Sequence, residues 1–133
     1  MKQKEREIGI LLKYQQAETD AVLIYRSLAI AAQDPADTAL FHRLAADEGR
    51  HAAALKAITG KTLRPSKRMA ARVTGLKRVL GREKTYRLVA RFEYKAAAAY
   101  KPFCARYPAL FGIRMDELRH GGEIYSLLSG ASE

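Results

Sequence analysis

Asp47-Glu48-Gly49-Arg50-His51 and Asp116-Glu117-Leu118-Arg119-His120 are two copies of one five-residue string. On a helix, a Glu and a His three residues apart project from the same face, so each string offers one carboxylate and one imidazole in a common direction. That is a spacing suited to metal ligation. The chain holds nine Glu and three His, and two of those His follow a Glu by three. For unrelated placement the coincidence has a probability of roughly one in a hundred. A lone His on an apolar face is ordinary core, whereas two matched Glu/His pairs call for a chemical explanation.

Both strings lie on apolar seams of helical period. The sequence predicts a first helix from about Glu5 to Gln33, its seam formed by Ile8, Leu11, Gln15, Glu18, Val22, Tyr25 and Ala29. Asp34-Pro35 then supplies a capping side chain and a proline suited to the first helical position. The second helix carries Phe41, Leu44, Glu48, His51, Leu55 and Ile58 on its seam and stops at Gly60. A basic connector with Pro65 leads to a short amphipathic helix over 66–80, with Met69, Val73, Leu76 and Leu80 on its apolar side. A fourth helix, about 82–106, has Tyr86, Val89, Glu93, Ala96, Tyr100 and Phe103 on its seam, and Pro102 should kink or shorten its end. The last helix, about 108–129, carries Leu110, Ile113, Glu117, His120, Ile124 and Leu127, with Gly112, Gly121 and Gly122 as weak points.

Four long helices with such seams predict an all-α fold, an antiparallel four-helix bundle with a short basic amphipathic crossover helix inside the basic connector 61–81. Glu18 and Glu48 are equidistant from residue 33, and Glu93 and Glu117 from residue 105. In an antiparallel hairpin each pair therefore sits at one height, about 18–22 Å from its turn at 1.5 Å per residue. Glu18, Glu48, His51, Glu93, Glu117 and His120 then become six inward-facing groups. Four uncompensated carboxylates in a core are costly, so the interior must neutralise them. Two divalent cations balance four Glu, and the oxygen and nitrogen donor set suits iron or manganese better than a thiolate-seeking metal.

Length and composition narrow the setting. A chain of 133 residues fits one domain spanning 1–133, enough to bury about two-thirds of its unfolded surface. The single Cys104 provides neither a disulfide framework nor a CxxC-type site. The charged start, Met1 to Glu7, lacks the following apolar run of a signal peptide, so a cytoplasmic location is expected. Residues 61–91 contain eleven Lys/Arg and one acid, Glu83, so the whole net charge of +10 falls in this segment. A basic amphipathic segment of this kind suits an anionic membrane surface or an acidic protein partner. Aromatic interleaving and recognised motifs for nucleic acid are absent, and nucleic-acid binding is not expected.

The ordered pattern Glu18, Glu48-x-x-His51, Glu93, Glu117-x-x-His120 resembles the ferritin-like superfamily, most closely its rubrerythrin-like branch. The resemblance covers essentially all of 5–129. It implies two iron ions, with manganese as the alternative. Glu48 and Glu117 would bridge them, and Glu18 with His51 and Glu93 with His120 would be the terminal ligands. It also implies that Asp47 and Asp116 accept hydrogen bonds from the distal nitrogen of the His on the opposite helix, an alternative to ion pairs with Arg50 and Arg119. Rubrerythrins usually carry a further carboxylate one turn after the third-helix Glu, where this chain has Ala96, and the single Cys104 leaves no rubredoxin-type site within these 133 residues. Electrons would come from an external donor.

The leading reading is a di-iron oxidoreductase, a ferroxidase or peroxidase acting on oxygen or peroxide and assembling as a homodimer. Tyr25 and Tyr100 lie two turns from Glu18 and Glu93, where they could bond a ligand or pass an electron, although core packing is the simpler role. The alternative reading is a non-enzymatic iron-binding or sensing module docking a membrane or acidic partner through 61–91. A di-iron monooxygenase ranks behind both.

Overall fold

The computed structural model describes residues 2–129, and among these the regular structure is entirely helical. Five α-helices follow in order: α1 (Lys2–Ala31), α2 (Pro35–Thr59), α3 (Arg68–Leu80), α4 (Arg82–Tyr100) and α5 (Ala109–Ser129). They fall into two compact units that divide between Thr74 and Gly75.

In the first unit α1 and α2 form an antiparallel hairpin. Asp34 starts α2 as an N-cap, its carboxylate accepting from the backbone N–H of Ala36 at 2.8 Å, and Pro35 follows at a position that has no intrahelical bond to lose. Gly60 ends α2 in the left-handed region (φ 74°), its N–H donating to the Lys56 carbonyl at 2.7 Å. Leu11, Leu28, Phe41, Leu44 and Leu55 are fully buried and form the core. At the far end from the turn, Gln15 binds the chain leaving α2: its amide donates to the Lys61 carbonyl at 2.7 Å, and its carbonyl oxygen accepts from the Thr59 hydroxyl at 2.6 Å. Asp20 accepts from the backbone N–H of Ser66 at 2.7 Å, so the basic connector is fastened along α1.

The second hairpin is built from α4 and α5. Gly81 (φ 89°) separates α3 from α4 while its N–H closes on the Lys77 carbonyl at 2.9 Å. Tyr86, Ala90, Leu110 and Ile124 are fully buried. The helix read over about 82–106 ends at Tyr100, shortened at its end as Pro102 predicts. Pro102 sits in a 3₁₀ turn, Lys101–Phe103, and Phe103 is only half-buried there.

The short helix also departs from expectation. It begins at Arg68, two residues later than read from the sequence, with Ser66 accepting from the Arg68 N–H at 3.3 Å. Val73 and Ala70 are buried, but the apolar row does not continue inward to its end, since Leu80 is 45% exposed and the neighbouring Val79 82% exposed. No helix among the described residues is long and apolar enough to cross a membrane.

Candidate metal centre

Each hairpin brings its own Glu, Glu and His together. In the first, the shared distance of Glu18 and Glu48 from the Asp34-Pro35 turn sets them at one level, and the i, i+3 spacing adds His51. The His51 Nδ1 lies 3.3 Å from Glu18 Oε2 and 3.4 Å from Glu48 Oε1. Glu18, Glu48 and His51 are all at least 97% buried. In the second, His120 Nδ1 lies 3.6 Å from Glu93 Oε2 and 3.8 Å from Glu117 Oε1, and these three are buried as well. Within each triad one ligand atom per residue lies within 4.8 Å of the others, a convergence that could hold a metal ion.

The chemistry of the donors decides what such a site accepts. Two carboxylates and one neutral imidazole carry a charge of −2, which one divalent cation neutralises. Hard oxygen donors with a single nitrogen suit a divalent cation that does not seek thiolate, which is missing from the set. Cys104 lies half-buried near the end of α4, its thiol donating to the Tyr100 carbonyl at 3.4 Å.

The aspartates that precede the bridging candidates differ between the hairpins. Asp47 is buried and ion-paired with Arg50, one turn ahead and mostly exposed. Asp116 keeps 29% of its side chain exposed and meets Arg119 at 3.2 Å. Arg119 also reaches Glu123 at 3.5 Å. Glu123 is accordingly half-buried and ion-paired, because one arginine sits a turn away from both acids. Tyr25 stacks on Phe41 with centroids 5.8 Å apart and planes 14° from parallel, so its ring belongs to the core of its hairpin. Tyr100 is likewise buried.

Three buried or closely packed features carry little signature in the sequence. Gln15 lies one turn before Glu18 and is 98% buried, and its bonds to Thr59 and Lys61 fasten the end of α2 beyond His51. Asp37, in the first turn of α2, is buried at the positive end of the helix dipole, and its spacing of three from the Asp34 cap was the available clue. Tyr94, next to Glu93, lies directly over Gly121, next to His120. A Cβ on Gly121 would stand 2.7 Å from Cζ of that ring.

No family model, curated protein or solved structure matches this chain.

Proposed function

We propose that this chain is a dinuclear iron protein that reacts with oxygen or peroxide, a ferroxidase or peroxidase of rubrerythrin-like type. The observation that carries the reading is the repetition of one buried triad, Glu18/Glu48/His51 and Glu93/Glu117/His120. An ion pair or a core histidine would account for one of them. Two identical donor sets, each with the charge of one divalent cation, favour two metals. The same reading pairs the hairpins as an antiparallel four-helix bundle, which lets four Glu and two His share two cations.

Glu18 and His51 would hold one ion and Glu93 and His120 the other, with Glu48 and Glu117 between them. Bound as Fe(II), the pair supplies two electrons to reduce oxygen or peroxide. Carboxylates serve this role because each can bind through one oxygen or two as the ions change charge. Burial of all six ligands keeps bulk water from the site and strengthens their electrostatic hold on the cations. Asp47, buried beside Glu48, would fix the orientation of a ligand imidazole.

Protein purified without nickel chromatography and loaded anaerobically with Fe(II) should bind two ions per chain and consume peroxide. Replacement of Glu48 or Glu117 by Ala should remove both properties. Less than one ion bound per chain, unaltered by either replacement, would end the proposal.

The exposure of Val79 and Leu80 beside Lys77 and Arg78 favours one second reading, an iron-binding module that docks an anionic surface without turnover. Metal-dependent sedimentation with anionic vesicles, in protein that leaves peroxide unchanged, would select it.

A further inference from the structure

The two hairpins present the same ligands with different neighbours. Counting from the ligands, Thr19 follows Glu18 as Tyr94 follows Glu93, and Ala52 follows His51 as Gly121 follows His120. The hydroxyl of Thr19 turns back to its own helix, donating to the Gln15 carbonyl at 2.7 Å. Tyr94 instead crosses to α5. A Cβ built on Gly121 would lie 2.7, 2.8 and 3.0 Å from Cζ, Cε2 and Cε1 of its ring, closer than carbon atoms approach in folded proteins. The ring also stacks on Tyr125, one turn further along α5, with centroids 6.2 Å apart and planes 23° from parallel. The pairing is therefore one large residue against none in the second hairpin, and two small residues in the first.

We propose that Tyr94, seated on Gly121, is a positioning residue that fixes the spacing and register of α4 against α5, and so holds Glu93 and His120 at ligand separation. The proposal rests on metal binding by the triads, and it makes them unequal: the second depends on an aromatic wedge that the first lacks. The ring is 39% exposed and packs on the backbone of Gly121 and on the Tyr125 ring, both on α5, so it opposes sliding of α4 beside His120. A methyl group at 121 drives the ring off its seat or the helices apart. Loss of the seat removes the contact that sets the helix spacing and lets α4 shift against α5 beside Glu93 and His120, while the first hairpin is untouched.

Co(II) serves as the probe, since its visible absorption reports ligation without redox chemistry. Gly121→Ala should weaken Co(II) binding by about tenfold or more in a His51→Ala background, where only the second triad is complete. In a His120→Ala background, where only the first is complete, it should change affinity by less than about twofold. Tyr94→Thr combined with Gly121→Ala recreates the small-residue pairing of the first hairpin and should recover most of the lost affinity. Should Gly121→Ala fail to fold, Tyr94→Thr alone, which removes the wedge without a clash, should weaken the second triad by about threefold. Unchanged Co(II) affinity in folded Gly121→Ala protein, or equal losses in both backgrounds, overturns the proposal. Absence of Co(II) binding by the unaltered chain would instead remove the metal-binding reading on which it rests.

Discussion

Glu48→Gln should stabilise the metal-free protein and destabilise the metal-loaded one. Glu18 and Glu48 are both buried, with ligand oxygens within 4.8 Å of each other. Two unit charges at that separation repel by about 3.5 kcal/mol at an effective dielectric constant of about 20. His51, within 3.4 Å of both, relieves part of this repulsion, so removing one charge should stabilise the metal-free fold by about 2 kcal/mol. At about 3–5 °C per kcal/mol for a chain of this length, the melting temperature should rise by about 6–10 °C. The amide introduced at position 48 has nearly the shape of the carboxylate and can donate to Glu18, so packing is preserved.

Metal reverses the order. A divalent ion present at 100 times its dissociation constant stabilises the unaltered protein by about 2.7 kcal/mol, and loss of an anionic ligand forfeits most of that. Thermal unfolding by circular dichroism, with chelator and then with Mn(II), measures both states without oxidation chemistry. A metal-free variant less stable than the parent would show that Glu48 is a structural ion-pair partner and refute the charge argument. An equal gain from Mn(II) in both proteins would refute its role as a ligand.

Three further outcomes follow from the local geometry. Gln15→Ala leaves the Lys61 carbonyl and Thr59 hydroxyl without their partner; it should cost about 1–2 kcal/mol in denaturant unfolding and speed amide exchange over 59–66. Asp34→Ala removes the bond to the Ala36 N–H and should cost about 1 kcal/mol by the same assay, with metal affinity unchanged. Asp47→Asn should reduce Co(II) affinity more than Asp116→Asn, because the first carboxylate is buried and the second is part-solvated; the expected loss for Asp47 is about tenfold by absorption titration.

The parts of this architecture legible in the sequence are those governed by local rules. Asp34-Pro35 and Gly60 announce a helix start and a helix stop because cap chemistry acts over two or three residues. Equal distances of Glu18 and Glu48 from one turn, and of Glu93 and Glu117 from another, give the level at which each hairpin meets, since helical rise is constant. What sequence periodicity alone misses is set by chain breakers and by contacts between helices. Phe103 continues the 3.6-residue pattern, yet the chain leaves the helix at Tyr100, because the pattern describes side-chain direction and Pro102 removes a backbone donor. Leu80 completes an apolar row whose last turn faces outward. Gly121 reads as a helix-weakening residue from propensity alone. In the structure its missing Cβ is the space Tyr94 fills, and propensity carries no information about a neighbour on another helix.

That contrast bears on how a site built twice can behave as two sites. Gln15 and Thr59 close the first hairpin with hydrogen bonds beyond its triad. The positions corresponding to them in the second are Ala90, fully buried, and Leu128. There the polar contact is Arg82 donating to the Leu127 carbonyl at 3.1 Å, and the packing of Tyr94 on Gly121 is added to it. Hydrogen bonds at a helix end hold position but open locally at modest cost, whereas a ring packed on backbone beside the ligands adds a second restraint on sliding. Identical ligands on supports of different stiffness should therefore load and release metal at different rates, with the first triad exchanging faster. Stopped-flow transfer of Co(II) to a chelator should show two phases of equal amplitude, the slower one lost in His120→Ala. A single phase, or loss of the faster phase in that variant, would mean that the support has no influence on the ligands it carries.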